Sequence, residues 1–207
     1  YRDARAFFHM SSDSIYRDNP DPKAVIDESA TLGGYSAYSP HYAMSKLATE
    51  AVVRFQAREL GLPTVIARLD VAYGLHGHGG VPTVLYQMMQ GGAKYTRKDN
   101  GESYCCPIYE DDIVEQIQGL IEHASVPALT VNLGGDEITS VEEIIRYIES
   151  LTGLHMNIDE AELATWQMKI VDPTLRRELA GPCKVSWQEG IRKILATRFP
   201  GSVVSAD

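Results

Sequence analysis

The sequence predicts an α/β fold with a parallel β-sheet. Short runs rich in β-branched residues alternate with longer amphipathic runs, and glycine or proline pairs separate the two kinds of segment. Such alternation is typical of parallel strands joined by right-handed helical crossovers. At 207 residues the chain is long enough for one domain, or for one domain with a smaller lobe, and no internal repeat divides it.

A strand and a long loop precede the first predicted helix. Residues 6–11 have the apolar character of a strand. Asn-Pro, Asp-Pro and Gly-Gly pairs then predict an irregular loop over residues 18–39. Residues 40–60 follow as a helix that starts at the N-cap Ser39 and stops at Gly61. Its apolar positions at helical spacing are Leu47, Ala51, Val52 and Phe55.

The alternation continues through the second half of the chain. The predicted elements are a strand at 64–72, a Gly-rich loop at 74–80, a helix at 81–90, a loop at 91–106, a helix at 111–124 and a strand at 128–133. Two overlapping capping boxes, Thr139-x-x-Glu142 and Ser140-x-x-Glu143, then begin a helix that stops at Gly153. The pattern of the remaining residues is less regular.

The charge balance excludes several classes of partner. The chain has 19 basic and 28 acidic residues, a net charge of −9, with no long basic block. A nucleic acid or an anionic membrane surface would require a stripe of lysine or arginine, so neither partner is expected. The sequence has no apolar stretch of about 18 residues and no signal-peptide pattern at its start. These features predict a cytoplasmic protein.

Cysteine and histidine residues do not predict a metal site. Cys105, Cys106 and Cys183 are odd in number, two of them are adjacent, and no second pair at C-x-x-C spacing is present. They are expected to be free thiols. His76 and His78 stand two residues apart in the Gly-rich loop without a third ligand nearby, which is typical of a polar loop tip.

Tyr42 and Lys46 form the first candidate for chemistry. They stand four residues apart near the start of the predicted helix, so they share one face and the ammonium group can approach the phenol. A nearby cation favours the phenolate form, which makes a tyrosine a usable proton donor or acceptor. The spacing alone occurs by chance on many helices, so its surroundings decide the interpretation.

Five motifs in order point to a known family. The sequence reads MSSDSIY at 10–16, SPHYAMSK at 39–46 and ARLDVAYG at 67–74, followed by IYEDDI at 108–113 and VNLGG at 131–135. The series resembles the extended short-chain dehydrogenases/reductases of the NAD-dependent epimerase/dehydratase type. In that family a serine-rich strand end, a Y-x-x-x-K helix and an R-x-x-N-V-Y-G strand end follow in this order.

The resemblance implies a doubly wound Rossmann-type sheet with a small interleaved α/β lobe that binds substrate. Residues 1–78 and 107–135 would belong to the Rossmann-type domain, and residues 79–106 and 136–207 to the lobe. The family's Gly-rich dinucleotide turn should lie before the serine-rich strand, and no such turn is found there. We therefore expect the C-terminal two-thirds of an extended enzyme, without the first ~100 residues and without tight dinucleotide binding by this chain alone.

The resemblance also implies roles for individual residues. Ser12 would hydrogen-bond the reacting hydroxyl or carbonyl, Tyr42 would transfer its proton, and Lys46 would favour the phenolate and hold the nicotinamide ribose. It assigns cofactor contacts to Ser12, Tyr42, Lys46 and Asp70, and substrate contacts to Asp13 and Val71. The alternative interpretation is structural: a capping serine, a half-buried tyrosine, a solvated lysine and a turn at a strand end.

Three departures from the family pattern concern the substrate. Ser14 stands where the sugar-nucleotide dehydratases have a glutamate, which disfavours their elimination chemistry. Cys105 falls where many nucleotide-sugar enzymes have a diphosphate-binding arginine, and a thiol cannot make that two-pronged contact. Val71 replaces the family's asparagine. The nearby cations Lys94, Arg97 and Lys98 are alternatives for holding phosphate, although such a loop is more often solvated surface.

Three functions remain open at this point. The first is an NAD- or NADP-dependent oxidoreductase that acts on a small molecule and moves a hydride between nicotinamide and a hydroxyl-bearing carbon. The second is a nucleotide-sugar epimerase, and the third is a non-catalytic fragment or regulatory member. The resemblance further implies a homodimer formed through the outer face of helix 40–60.

Overall fold

The computed structural model describes residues 3–33, 39–99, 101–162 and 166–204. The strands are β1 (Phe7–Ser12), β2 (Val25–Ile26), β3 (Thr64–Leu69), β4 (Ala72–Tyr73), β5 (Lys94–Lys98), β6 (Tyr104–Cys105), β7 (Ile108–Tyr109), β8 (Leu129–Leu133), β9 (Thr139–Ser140), β10 (Asn157–Ala161) and β11 (Ile170–Val171). The helices are α1 (Pro40–Leu60), α2 (Gly80–Gln90), α3 (Glu110–Ile121), α4 (Val141–Thr152), α5 (Thr174–Ala180) and α6 (Trp187–Arg198).

A three-stranded parallel sheet forms the centre of the molecule. Its strand order is β1-β3-β8, so β3 lies in the middle. Ser12 pairs with Leu69, and Leu69 pairs with Leu133 on the other side. The three strands therefore end at the same level, and the residues that follow them emerge together at one edge of the sheet.

Helices cover both faces of this sheet. On one face Met10, Ala67 and Val131 pack in an apolar cluster against α3 and α5. The opposite face carries Arg68 and Asn132, and α1 lies over it. Coverage of both faces confirms the doubly wound α/β class predicted from the sequence.

Part of the apolar stripe noted for α1 points outward. Val52 and Phe55 are exposed, whereas Glu50 is among the residues that α1 buries. The sheet beneath the helix supplies the reason, because the buried Arg68 requires a carboxylate opposite it. The predicted end at Gly61 is confirmed, and this glycine adopts a left-handed conformation with φ 57°. Ser39 occupies the N-cap position, but its side chain makes no capping hydrogen bond.

Two segments predicted as loops contain strands. Within residues 18–39, of which 34–38 lie outside the described residues, β2 pairs in parallel with β11. Within residues 91–106, β5 pairs in parallel with β10 and β6 pairs with β9. Each of these strands is short and finds its partner far along the chain, so local periodicity carries little signal for it.

A second apolar cluster lies where α2, α4 and α6 meet, and its buried members include Leu85, Ile144, Ile148, Ile194 and Leu195. One predicted capping box is confirmed at the start of α4, where Ser140 and Glu143 exchange hydrogen bonds. The other does not form, because the Glu142 carboxylate instead accepts from the Tyr95 hydroxyl and the Ser103 amide. The division into two sequence-interleaved lobes stays a prediction. Helix α5, from the predicted substrate lobe, packs against α3 and β8 of the predicted Rossmann-type domain.

The helices are those of a compactly folded α/β chain. The longest is α1, with 21 residues, and charged side chains interrupt it on several turns. Within the described part of the chain, no helix combines the length and the apolar character needed to cross a bilayer.

Candidate active site

A cavity of ≈ 350 Å³ opens at the carboxyl ends of β1 and β3. It is lined by Ser12, Asp13, Ser14, Ser39, Tyr42, Asp70, Val71, Gln167, Met168 and Lys169. Ligands of open α/β sheets bind at this edge of the sheet. The structure thus brings together on one cavity wall five of the residues predicted from the sequence: Ser12, Asp13, Tyr42, Asp70 and Val71.

Ser12 has both a structural and a site position. It is the last residue of β1 and the N-cap of a short 3-10 helix, Asp13–Ile15. Its hydroxyl oxygen accepts from the Ser14 amide at 3.2 Å, and the hydroxyl donates to Asp13 Oδ1 at 3.2 Å. The capping bond fixes the hydroxyl on the cavity wall, so the two interpretations of Ser12 are compatible.

Tyr42 and Lys46 lie in the first two turns of α1. The Tyr42 ring is about half exposed at the cavity mouth, and Lys46 Nζ lies 5.6 Å from the centre of that ring. Lys46 Nζ donates to the Met10 carbonyl oxygen of β1 at 3.0 Å. This bond uses one of the three ammonium protons and orients the others for further acceptors.

Asp70 and Val71 follow the end of β3. Asp70 Oδ2 accepts from the Cys106 amide at 2.7 Å, and Ile108 N donates to the Val71 carbonyl oxygen at 2.9 Å. Asp70 is 8% exposed, and its Oδ1 has no hydrogen-bond partner among the described residues. The strand end is therefore held by backbone bonds, with one buried carboxyl oxygen left unpaired.

Lys169 is a site residue that sequence reasoning missed. It immediately precedes β11, is 8% exposed, and places Nζ 2.9 Å from Asp18 Oδ1. Its buried ammonium group opposes the effect of burial on the two aspartates of the cavity. Burial nevertheless raises the pKa of Asp13, and burial together with the neighbouring Asp13 charge raises the pKa of Asp70 well above the usual range.

The cysteines are free thiols, as predicted, and the adjacent pair is buried. Cys105 belongs to the apolar cluster around α4, and burial raises the pKa of its thiol well above the ordinary value. Burial also raises the pKa of Cys106 to about 12. The position at which the resemblance implies an arginine is thus occupied by a buried thiol.

Side chains of the protein accept hydrogen bonds from amides of the Gly-rich loop at 74–80. The Glu110 carboxylate accepts from the amides of Leu75 and His76 in this loop, at 2.7 and 3.2 Å. His78 Nδ1 accepts from the Gly80 amide. These contacts give the loop a structural role, because its Leu75, His76 and Gly80 amides are already bonded to side chains of the protein.

The sequence comparison identifies the family. Residues 1–134 match the family described as the NAD dependent epimerase/dehydratase family. The chain belongs to this family. The resemblance inferred from the five motifs is thereby confirmed, and the family's NAD dependence agrees with the nicotinamide cofactor expected from the sequence.

Among curated relatives, the chain is similar to dTDP-glucose 4,6-dehydratases. It is 28% identical over 156 residues to one from Escherichia coli, which covers 70% of this chain and 42% of that protein. It is 33% identical over 92 residues to the enzyme of Salmonella typhimurium, which covers 41% of this chain and 25% of that protein. The chain therefore spans about two fifths or less of the length of these relatives.

Solved structures of this family share the fold. The UDP-glucuronic acid 4-epimerase of Bacillus cereus, in complex with UDP-glucuronic acid and NAD, superposes with a TM-score of 0.77 at 20% identity, covering 94% of this chain and 62% of that chain. The UDP-glucose 4-epimerase of Thermotoga maritima, with UDP-glucose, gives a TM-score of 0.75 at 24% identity, covering 94% and 64%. At these identities the likeness concerns the fold.

Proposed function

We propose that this chain carries the proton-transfer part of an NAD- or NADP-dependent oxidoreductase of the epimerase/dehydratase type. The observation that supports it is the single cavity at the ends of β1 and β3, which Ser12, Tyr42 and the Asp70-Val71 strand end all line. Lys46 stands one helical turn behind Tyr42 on the same helix. The substrate would be a small molecule with a hydroxyl-bearing carbon.

The residues present fit the nicotinamide end of a dinucleotide. Lys46 is held by Met10 and retains two ammonium protons for ribose hydroxyls. When bound, the cofactor would supply the hydride acceptor for the oxidation. The Leu75 and His76 amides of the Gly-rich loop are bonded to Glu110, so the pyrophosphate would need other groups than these two. NAD and NADP are both compatible with this set.

Tyr42 would move the proton and Ser12 would orient the substrate. The deprotonated Tyr42 oxygen, with the Lys46 ammonium balancing its charge, would take the proton from the substrate hydroxyl as that carbon is oxidised, and Tyr42 would become a neutral phenol. The Ser12 hydroxyl, fixed by its capping bond, would hydrogen-bond the same substrate oxygen. Two hydrogen bonds to one oxygen would hold the reacting carbon in a single orientation.

The favoured substrate lacks a diphosphate. Cys105 replaces the family's arginine and is buried in the apolar cluster, so it offers no charge to phosphate oxygens. A missing charge-assisted contact of this kind costs on the order of 1.5 to 3 kcal/mol, or about 10- to 100-fold in affinity. Ser14 in place of glutamate disfavours the elimination that the dehydratases carry out.

A nucleotide-sugar epimerase is the second candidate. It is favoured by one observation, the likeness to structures of UDP-sugar enzymes that are crystallised with their substrates. The cations Arg97 and Lys94 are the alternative phosphate ligands, but both are engaged in ion pairs, with Glu160 and Asp159.

A binding comparison decides between these candidates. The whole protein is titrated calorimetrically with UDP- and dTDP-sugars and, in parallel, with non-nucleotide alcohols and aldehydes, while reduction or oxidation of NAD and NADP is followed by absorbance. We expect weak binding of the diphosphate sugars and nicotinamide turnover with a substrate that has no diphosphate. Micromolar binding of a nucleotide sugar that is lost in Arg97→Ala would replace this proposal by the epimerase. Absence of nicotinamide turnover with every substrate would favour the non-catalytic alternative.

A further inference from the structure

Asp13 and Asp70 leave two neighbouring strands at the same level. Ser12 pairs with Leu69 in parallel register, and the next residue on each strand is an aspartate. Adjacent strands lie about 4.8 Å apart, and both aspartates line the same cavity. Two carboxyl groups thus line one cavity at the carboxyl ends of β1 and β3.

The surroundings of this pair do not favour two negative charges. Asp70 is buried, its Oδ2 accepts from the Cys106 amide, and its Oδ1 has no hydrogen-bond partner among the described residues. Asp13 Oδ1 accepts from the Ser12 hydroxyl. Leaving a buried carboxylate oxygen without a donor is costly, and a second carboxylate beside it adds repulsion.

Among the described residues that line the cavity, Lys169 is the one cation, and it is shared. Lys169 lines the cavity, and its ammonium group is already paired with Asp18 at 2.9 Å. The thiols of Cys105 and Cys106 are close to Asp70, but burial keeps them neutral because it raises the pKa of each. Three carboxyl groups therefore compete for one ammonium group, and the charge is balanced more closely when the pair keeps a proton.

We propose that Asp13 and Asp70 share one proton at neutral pH, and that Asp70 acts as a positioning residue that keeps Asp13 available as a neutral hydrogen-bond donor in the cavity. Resting on the proposed function, the acceptor would be a second oxygen of the hydroxyl-bearing substrate, next to the one held by Tyr42 and Ser12. A neutral carboxylic acid at this place can donate a hydrogen bond to a neutral polar substrate. It carries no positive charge, so it would bind a carboxylate substrate less well than a cationic side chain would.

Carbon-13 NMR of aspartate carboxyl groups tests the shared proton without any substrate. The protein is labelled at the aspartate carboxyl carbons and titrated, with assignments made from Asp13→Asn and Asp70→Asn. We expect one carboxyl signal of the pair to titrate well above the ordinary aspartate range. In Asp70→Asn the remaining Asp13 signal should move to lower pH, with its acid dissociation constant raised about tenfold or more.

Two further variants complete the test: one should shift the titration in the direction opposite to Asp70→Asn, and the other should not shift it. Lys169→Met removes the opposing cation, so the high titration should move to still higher pH. Asp27→Asn is the matched control, because Asp27 is an exposed loop aspartate whose side chain bonds only locally, to Ser29. It should leave the titration of the pair unchanged. Circular dichroism checks that each variant is folded.

The outcomes separate this inference from the proposed function. A high titration that responds to Asp70→Asn and Lys169→Met supports the shared proton even if no hydroxyl substrate is turned over, in which case only the substrate role fails. Ordinary titration of both aspartates, or an Asp13 signal that ignores Asp70→Asn, would overturn the inference even in an active enzyme.

Discussion

Tyr42 is the residue whose replacement tests the site most directly. Tyr42→Phe removes the phenol oxygen but leaves the ring and the ammonium group of Lys46, 5.6 Å from the ring centre, in place. We expect turnover to fall by about 100-fold or more, while cofactor binding changes little. Steady-state kinetics and fluorescence titration with the nicotinamide cofactor measure the two quantities.

Two comparisons complete this prediction. Lys46→Ala should weaken both turnover and cofactor binding, since the ammonium group contributes to both. Tyr147→Phe, on α4 and outside the cavity, is the matched control and should retain activity. Substantial turnover by Tyr42→Phe with the true substrate would contradict the proton-transfer role.

At the residue scale, the cavity residues that could be predicted from the sequence are those that belong to the ordered motifs. Ser12, Tyr42 and Asp70 stand at strand ends or in a first helical turn, where parallel topology brings side chains to one edge. Lys169 escaped prediction because it reaches the cavity through β11, a two-residue strand that pairs with β2. The pairing of Asp13 with Asp70 was readable in principle, since both follow strands, but it depends on the register of those strands.

A buried ion pair contributes to the contact between α1 and the sheet. Glu50 accepts two hydrogen bonds from Arg68, at 3.0 and 3.1 Å, and both side chains are buried. Glu50→Gln leaves the Arg68 charge buried without its partner, so we expect a loss of about 3 to 5 kcal/mol in the free energy of unfolding. Urea denaturation measures it, and Glu59→Gln, exposed on the same helix, should change little.

The same pair makes stability depend on pH. Burial disfavours the ionised form of Glu50, but the hydrogen bonds from Arg68 outweigh it, so the pKa of Glu50 is lowered. The stabilisation is therefore fully present above the ordinary glutamate pKa and is lost as pH falls through the lowered value. The difference between wild type and Glu50→Gln should shrink toward acid pH. A difference that stays constant with pH would contradict this assignment.

The turn after β8 has no room for a side chain. A Cβ atom at Gly135 would collide with the backbone carbonyl of Pro107. Gly135→Ala should cost about 1 to 3 kcal/mol of stability, measured by thermal or urea unfolding. Gly91→Ala is the control, because Gly91 has φ −84° and its Cβ would meet the nearest atom at 3.4 Å. Equal stability of the two variants would refute the steric argument.

At the element scale, prediction succeeded where a segment's own pattern decides its structure. The three sheet strands and α1 to α4 were found close to their observed bounds. The strands β5 and β10 were missed because neither is stable without the other, and more than 50 residues separate them. The orientation of α1 was not predicted, because the spacing of apolar residues along the helix does not show that Glu50 faces the buried Arg68 of the sheet.

The outward apolar face of α1 is a surface that we expect a second copy of the chain to cover. Val52, Phe55 and Leu60 are exposed on it, beside the exposed Phe7 of β1. Contiguous apolar side chains of this kind mark interaction surfaces. Val52→Glu should shift the whole protein from dimer to monomer in sedimentation equilibrium.

Val114→Glu is the matched control for this prediction. Val114 on α3 is 57% exposed, compared with 59% for Val52, but it lies on a different helix. This variant should keep the mass of the wild type. A wild-type mass of one chain would show that the α1 face is not a dimer interface.

The outward apolar face of α1 has a consequence for how the protein would respond to its own concentration. One rod of 21 residues, about 30 Å long, carries Tyr42 at one end and Val52, Phe55 and Leu60 further along. It is fastened to the sheet at the level of Glu50 and, closer to Tyr42, through Lys46. A second copy packed on the outer face would therefore contact the same helix that positions the Tyr42 phenol. If the proposed function and the dimer both hold, we expect dilution to change turnover as well as the mass of the particle.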